Sequence, residues 1–261
     1  MLFSVTSKQN LFIIDLDSMK EVNRRKLDKP TTLLKAFEAA PDMVFIAVQV
    51  GMQSFLQVIL PQGMINSEEA HNGFITDIHF MKWNGTDVVF TACQDQNLRA
   101  FTFSSDKTKL ERQAIQPTSP SYATKFVSNQ DSFLIAALRD GSFLGWNLNQ
   151  NQVDKQPGHD MNKEITSLLM HQTCVLSADE GGVIQIRNLS EGFQQIVPPL
   201  SISPGALQTN QTHQVQSMIV MEFPPSNDPV ILTGSKNGLV QLVKPNLPPY
   251  QFGAHNYKPN Q

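Results

Sequence analysis

Two cysteines, Cys93 and Cys174, are all that the 261 residues contain, and neither has a second cysteine or a histidine at ligand spacing. That excludes a disulfide framework, which needs several pairs, and a structural zinc site, which needs four ligands. Both are expected to be small core residues rather than reactive thiols. No apolar run reaches the ~18 residues that a membrane span requires. The first ten residues, Met-Leu-Phe-Ser-Val-Thr-Ser-Lys-Gln-Asn, lack a basic stretch followed by a long apolar one. These absences predict a reduced intracellular setting, cytoplasmic or nuclear, and no membrane partner. Charge is scarce as well: 16% of residues are charged and the formal net charge is −3, so no global field draws the chain to nucleic acid or anionic lipid.

Catalytic signatures are missing too. There is no HExxH, no glycine-rich phosphate loop of either standard spacing and no EF-hand loop. His71, His79, His159, His171, His213 and His255 are the available bases, and none sits in a nucleophile elbow. The carboxylates of Asp15-Leu-Asp17 and Ser67-Glu-Glu69 fall in polar turns and are read as solvated surface. A non-enzymatic chain without cofactor, metal or small-molecule substrate is expected.

What is present is a repeated hairpin. Residues 133–148 place two short apolar runs around Arg139-Asp140-Gly141-Ser142. Asp-Gly between apolar runs is a strong hairpin signal, because the tight primed turn needs positive φ at its centre. The same shape recurs at 2–16, 43–60, 88–103, 174–189 and 230–243. The turn positions Gln9, Gly51, Gln96, Gly141, Gly182 and Gly238 are 42, 45, 45, 41 and 56 residues apart. Such a period is that of a β-propeller blade.

An apolar segment precedes each later hairpin, at 32–38, 74–80, 122–127, 165–170 and 215–223. A more polar one follows, at 20–27, 63–69, 109–115, 152–156, 193–197 and, as a poor match, 250–253. Each unit therefore reads as a four-stranded meander with a buried inner and a solvated outer strand. No segment longer than about ten residues shows a helical period, so the class is all-β. Prolines fall between strands, where their missing N–H costs no ladder bond. Residues 201–213 are expected to form a surface loop that accounts for the longest spacing. One domain spanning 1–261 is expected, with a polar tail at 254–261.

The hairpins resemble WD-repeat β-propellers, whose consensus runs Ser-Gly-Ser-x-Asp-Gly-Thr-Ile-Arg-Val-Trp-Asp. Asp140, Gly141 and Trp146 keep their places in it, as do Gly234, Ser235 and Gly238, and Ile14-Asp15 stands for the Trp-Asp pair. The Gly-His before an inner strand is echoed by Ala70-His71, Gly158-His159 and Thr212-His213. The resemblance implies a structural network joining that histidine, a Ser or Thr of the second strand, the turn Asp and the Trp. His71, Thr91 and Asp95 approach it, with Phe101 in place of Trp. The fifth unit has Gly181 where the Asp belongs and Arg187 where the Trp belongs, so no network is expected there.

The resemblance further implies an interaction scaffold that uses the residue before the turn Asp and the residues entering the inner strand. Here these are Gln94, Arg139, Glu180, Lys236, Asn72 and Phe74. Trp83, in Lys82-Trp-Asn-Gly-Thr, is a further exposed candidate. Residues 165–192 are similar to a blade of zinc-finger WD proteins of the CCCH type, which implies an RNA-associated setting as the alternative. Strand counting predicts about six units, the first with three strands, in a chain that fits the C-terminal part of a longer, seven-bladed protein. The open edge of residues 2–6 should then favour dimers or aggregates.

Overall fold

The computed structural model describes residues 2–6, 8–60, 63–67, 69–113, 121–129, 132–189, 193–196, 199–201, 214–223, 228–236, 238–244 and 250–252. The loop expected at 201–213 lies outside these residues apart from Ser201, and the tail at 254–261 lies outside them entirely. No helix occurs among the described residues, and the strands form six antiparallel sheets. The first sheet has three strands, β1 (Leu2–Val5), β2 (Asn10–Asp15) and β3 (Lys20–Lys26), paired in that order. The second joins β4 (Thr31–Phe37), β5 (Ala40–Val50), β6 (Gln53–Leu60) and β7 (Gly63–Asn66), and the third β8 (Ile75–Trp83), β9 (Thr86–Cys93), β10 (Leu98–Phe103) and β11 (Leu110–Arg112).

The fourth sheet contains β12 (Ala123–Ser128), β13 (Phe133–Leu138), β14 (Phe143–Asn147) and β15 (Gln152–Gln156). In the fifth, β16 (Ile165–His171), β17 (Cys174–Asp179), β18 (Val183–Asn188) and β19 (Gln194–Gln195) form the meander, and β20 (Leu200–Ser201) also pairs with β18. The sixth is β21 (Val215–Phe223), β22 (Asp228–Ser235), β23 (Val240–Val243) and β24 (Tyr250–Phe252). Of the weakly patterned segment at 250–253, residues 250–252 form the last strand of this meander.

Turn chemistry sets the register. Gln9, Gly51, Gln96, Gly141, Gly182 and Gly238 all have positive φ, between 61° and 84°. Four of the six are glycine, which adopts this region without a Cβ penalty, and the two glutamines carry local strain. Four of the first strands, β4, β8, β16 and β21, share a second device, a register shift after their first residue, between Thr31 and Leu33, Ile75 and Asp77, Ile165 and Ser167, and Val215 and Ser217. The bulged residue is freed from the ladder and re-aims its side chain. Thr166 uses this freedom to donate from Oγ1 to the Val215 carbonyl at 2.5 Å, and on β12 Thr124 donates likewise to the Ile165 carbonyl at 2.7 Å. Thr76 donates in the same way to the Ala123 carbonyl at 2.5 Å.

The chain falls into two compact units, one of Met1–Ala123, Gln130–Ser132 and Asn149–Asn151, the other of Thr124–Asn129, Phe133–Leu148 and Gln152–Gln261. Within each unit, apolar layers fill the space between consecutive sheets. Strand alternation explains why the central strands read as unbroken apolar runs. Val44, Ile46 and Val48 of β5 enter the layer shared with Leu11 and Leu27, while Phe45 and Ala47 enter the next one with Ile78, Phe80 and Phe101. In the second unit, Val175 of β17 joins the layer of Ile135 and Phe143, and Leu176 and Ala178 join that of Val215 and Ile231. A strand buried on both faces has no room for alternation of polar residues.

Candidate functional site

In the third and fifth sheets the entry to the first strand gathers buried polar side chains. In the fifth sheet, Gly158-His159 leads into β16, and the His159 amide donates to the Gly141 carbonyl at 2.8 Å. Gly158 has to be glycine, since a Cβ there would stand 2.1 Å from the Gly141 carbonyl oxygen and 2.7 Å from the Phe143 ring. The close approach buries the imidazole, whose Nε2 lies 2.8 Å from Ser177 Oγ and whose Nδ1 lies 3.1 Å from Asp179 Oδ2. Asp179 Oδ1 accepts from the amides of Gly181 and Val183, both at 2.9 Å. Burial opposes ionisation of Asp179, but His159 and the Val183 amide prevail and hold its carboxyl below the usual range. The expectation that this unit has no network is therefore wrong: the acid stands two residues earlier, at the end of β17. Arg187 takes up the Trp position as an aromatic-stacked cation, 5.8 Å from the Phe143 ring centre and 5.5 Å from that of Phe193.

The third sheet solves the same problem differently. His71 Nε2 lies 2.8 Å from Thr91 Oγ1, and the ring packs at a 42° tilt against Phe101, with centres 6.1 Å apart. Asp95 stays in the turn, where it forms a two-pronged pair with Arg99, at 3.1 and 2.8 Å, and accepts from the Asn72 and Asn97 amides at 3.1 Å each. Burial works against the Asp95 charge, yet these bonds lower its carboxyl to about 2. His71 Nδ1 has no hydrogen-bond partner among the described residues. Burial, helped by the Arg99 charge, pushes this imidazole down to about 4. Glu69 is not the solvated carboxylate expected from the turn: it pairs with Arg112 and lies 3.5 Å from Arg99 Nε.

Of the candidate surface residues, Asn72, Phe74, Gln94, Arg139, Glu180 and Lys236 are all exposed. The structure brings Asn72, Phe74 and Gln94 together, because the Asn72 amide reaches Asp95 and the Gln94 amide donates to the Phe74 carbonyl at 3.0 Å. Equivalent clamps hold Glu180 to the Glu164 carbonyl and Lys236 to the Gln214 carbonyl, both at 2.9 Å. Arg139 and Glu180 share one electrostatic neighbourhood with Glu164 and Lys125, two residues that sequence reading missed. Burial, reinforced by Glu180, raises the Glu164 carboxyl, while Arg139 and Lys125 pull it down. Their positions just before and just inside the inner strands were the available signal. Trp83 ends β8 half-buried, its indole N–H donating to Asn149 Oδ1 at 2.9 Å, so it is not a free aromatic.

Ser177, His159 and Asp179 reproduce the connectivity of a hydrolytic triad. Ser177 and Asp179 are each only 1% exposed, and Gly158 and Phe143 close over the histidine, so no substrate carbonyl can reach Ser177 Oγ. The arrangement holds strands together. Cys93 is buried at the end of β9, where burial pushes its thiol up to about 11, and Cys174 is half-buried at the start of β17. Among the described residues no three His, Cys, Asp or Glu side chains stand close enough to hold a metal ion.

No family model matches the chain, and no curated protein does. Among solved structures, the crystal structure of the computationally designed Ika8 protein matches over 93% of this chain and 67% of its own, with a TM-score of 0.61 at 16% identity. At that identity the likeness is one of fold alone. Since 1414 solved chains match significantly, the fold does not select a function.

Proposed function

We propose that the six sheets are the blades of a WD-repeat-like β-propeller, the first incomplete, and that the protein is a non-enzymatic scaffold presenting its turn faces to protein partners. The observation that carries this reading is the repeated backbone clamp from the first turn residue to the residue before the inner strand, seen at Gln94, Glu180 and Lys236. It holds an exposed polar or charged side chain on a stiff base at equivalent points of the third, fifth and sixth sheets. Side chains fixed in this way bind at low ordering cost. The neighbourhood of Arg139, Lys125, Glu164 and Glu180 supplies mixed charge that favours selectivity over bulk affinity.

The test is a double variant, Arg139→Glu with Lys236→Glu, compared with wild type by quantitative affinity capture and by thermal melting. Loss of acidic-surfaced partners at unchanged Tm is the expected result. An unchanged partner set removes the turn face from consideration. Affinity for an RNA oligomer that is present at low salt and falls steeply with added salt would replace the scaffold reading by the RNA-associated one.

A further inference from the structure

The first and second sheets end their core-facing rows differently. In the second sheet, Phe45 of β5, Val58 of β6 and Ile65 of β7 stand side by side, and all three are buried in the layer shared with the third sheet. In the first sheet the corresponding rows run Val5–Leu11–Arg25 and Phe3–Ile13–Asn23. The outer strand β3 therefore presents polar side chains where β7 presents an isoleucine. Beside β3 the apolar layer between these two sheets is not filled, and a cavity of about 250 Å³ remains. Its floor is made by Leu11 and Ile13 of the first sheet and by Val44, Ile59 and Leu60 of the second, while the exposed Val22 and Pro41 stand at its rim. Val44 pairs with Ile59 six steps along the ladder from the pair Val50 and Gln53 that flanks the Gly51 turn, so the cavity lies away from the turn face.

Two charged side chains line this cavity, Arg25 and Asp42. Arg25 is half-buried, and its Nη1 donates to the Gly63 carbonyl at 2.9 Å, which ties the guanidinium of the first sheet to the second. That bond uses one of its five N–H donors. Asp42 is exposed, so water and salt screen it more than they screen the guanidinium. From this geometry we infer that the cavity binds a small amphipathic monocarboxylate, its apolar body against the floor and its carboxylate on Arg25. A cavity walled by aliphatic side chains takes up apolar molecules readily, and a guanidinium pairs with a carboxylate through two parallel bonds. At roughly 30 Å³ for each small group, the volume holds about eight non-hydrogen atoms, the size of a medium-chain acyl tail. An amine would meet Arg25 with like charge. A doubly charged phosphate ester would bring a second negative charge toward Asp42.

The probe is octanoate, titrated into the full chain and followed by calorimetry and methyl NMR. Saturable binding is expected with a Kd on the order of 0.1–1 mM, which about ten non-hydrogen atoms give at ordinary ligand efficiency. The methyl shifts should centre on Ile13, Val44 and Ile59, which line the cavity. Octanol tests the tail alone and octylamine the sign of the charge, and both should bind at least about tenfold more weakly, the value of one charge-assisted bond. Arg25→Gln keeps a donor for the Gly63 carbonyl and should bring octanoate down to the level of octanol, with octanol unchanged. Asn23→Phe fills the space from an exposed strand position and should abolish binding of both at an unchanged or raised Tm. If that variant melts early, the ratio of octanoate to octanol affinity in Arg25→Gln decides alone. No saturable binding of octanoate, equal affinity for the three probes, or wild-type affinity in Arg25→Gln overturns the inference. So does tighter binding by acetyl-Gly-Gly-Leu, which would give the cavity to the C-terminus of another protein.

Discussion

The third and fifth sheets place the same pair, a buried histidine against a strand hydroxyl, at 2.8 Å in both, and then diverge in where the acid stands. In the fifth, Asp179 comes two residues after Ser177 and grips His159 directly. In the third, Asp95 comes four residues after Thr91 and grips Arg99 instead. The consequence reaches both cations. Arg99 is neutralised and His71 is left with one unpartnered nitrogen, whereas His159 is held on both nitrogens and Arg187 lies over two aromatic rings. What the repeat requires is one satisfied carboxylate near the strand entry, not an acid at one fixed position.

Breaking the tighter of the two should cost the most. Asp179→Ala strips His159 Nδ1 and two backbone amides of their acceptor in a dry interior, and a loss of about 3–5 kcal/mol in the denaturant unfolding free energy is expected. A loss below 1 kcal/mol would mean that water replaces the carboxylate and that the site is not a closed network. The third sheet should show itself next, through pH. Its ordinary value of 6.5 applies to His71 in the unfolded chain, but the folded imidazole resists protonation down to about 4. Between these values the unfolded state holds the extra proton, so the contribution is intact above about 6.5 and is lost as pH falls toward 4. His79, on β8, is pushed down to about 4 by burial and adds to the same window. The slope should approach 1.4 kcal/mol per pH unit for each histidine. His71→Gln, which can keep the Thr91 bond, should flatten it by about half. An unchanged slope would show that His71 is not the titrating group.

A smaller effect tests the residue before each histidine. Ala70 occupies this place in the third sheet and Gly158 in the fifth, where a Cβ would overlap the Gly141 carbonyl. Gly158→Ala should cost about 1–3 kcal/mol by forcing the backbone apart, while Ala70→Gly should cost less than about 1 kcal/mol. Equal melting temperatures for the two variants would show that the close approach at Gly158 relaxes freely.

Much of this architecture is legible in the residues because turns and burial obey local rules. All six turn positions have positive φ, and apolar runs such as those of β5 and β9 are central strands buried on both faces. The network of the fifth sheet was illegible for an equally physical reason. A consensus fixes the acid by residue count, but a carboxylate on the last residue of a strand reaches the same imidazole as one in the turn beyond it. The residue count therefore falls on Gly181 and passes over Asp179. Glu164 and Lys125 escaped notice because neither belongs to a turn; their meeting with Arg139 and Glu180 depends on how inner strands are set beside one another.

The finest test converts one site toward the other. Thr91-Ala92-Cys93 of β9 aligns with Ser177-Ala178-Asp179 of β17, so Cys93→Asp places a carboxylate where the fifth sheet has its own. Cys93 is fully buried, and its sulfur already accepts the Asp95 amide at 3.4 Å, so the position can support an acceptor. A second carboxylate near Arg99 costs desolvation, which pairing with that guanidinium and with His71 Nδ1 offsets, so the melting temperature should change little at pH 7. The imidazole should change more: an anion at its free nitrogen favours the charged ring, and the His71 titration followed by NMR should move up from about 4. Upward movement with Asp95 still bound to Arg99 would show that the two sheets are alternative solutions of one electrostatic problem. A His71 titration that stays in place would show that β9 and β17 set their last side chains in different directions, and the equivalence would fail.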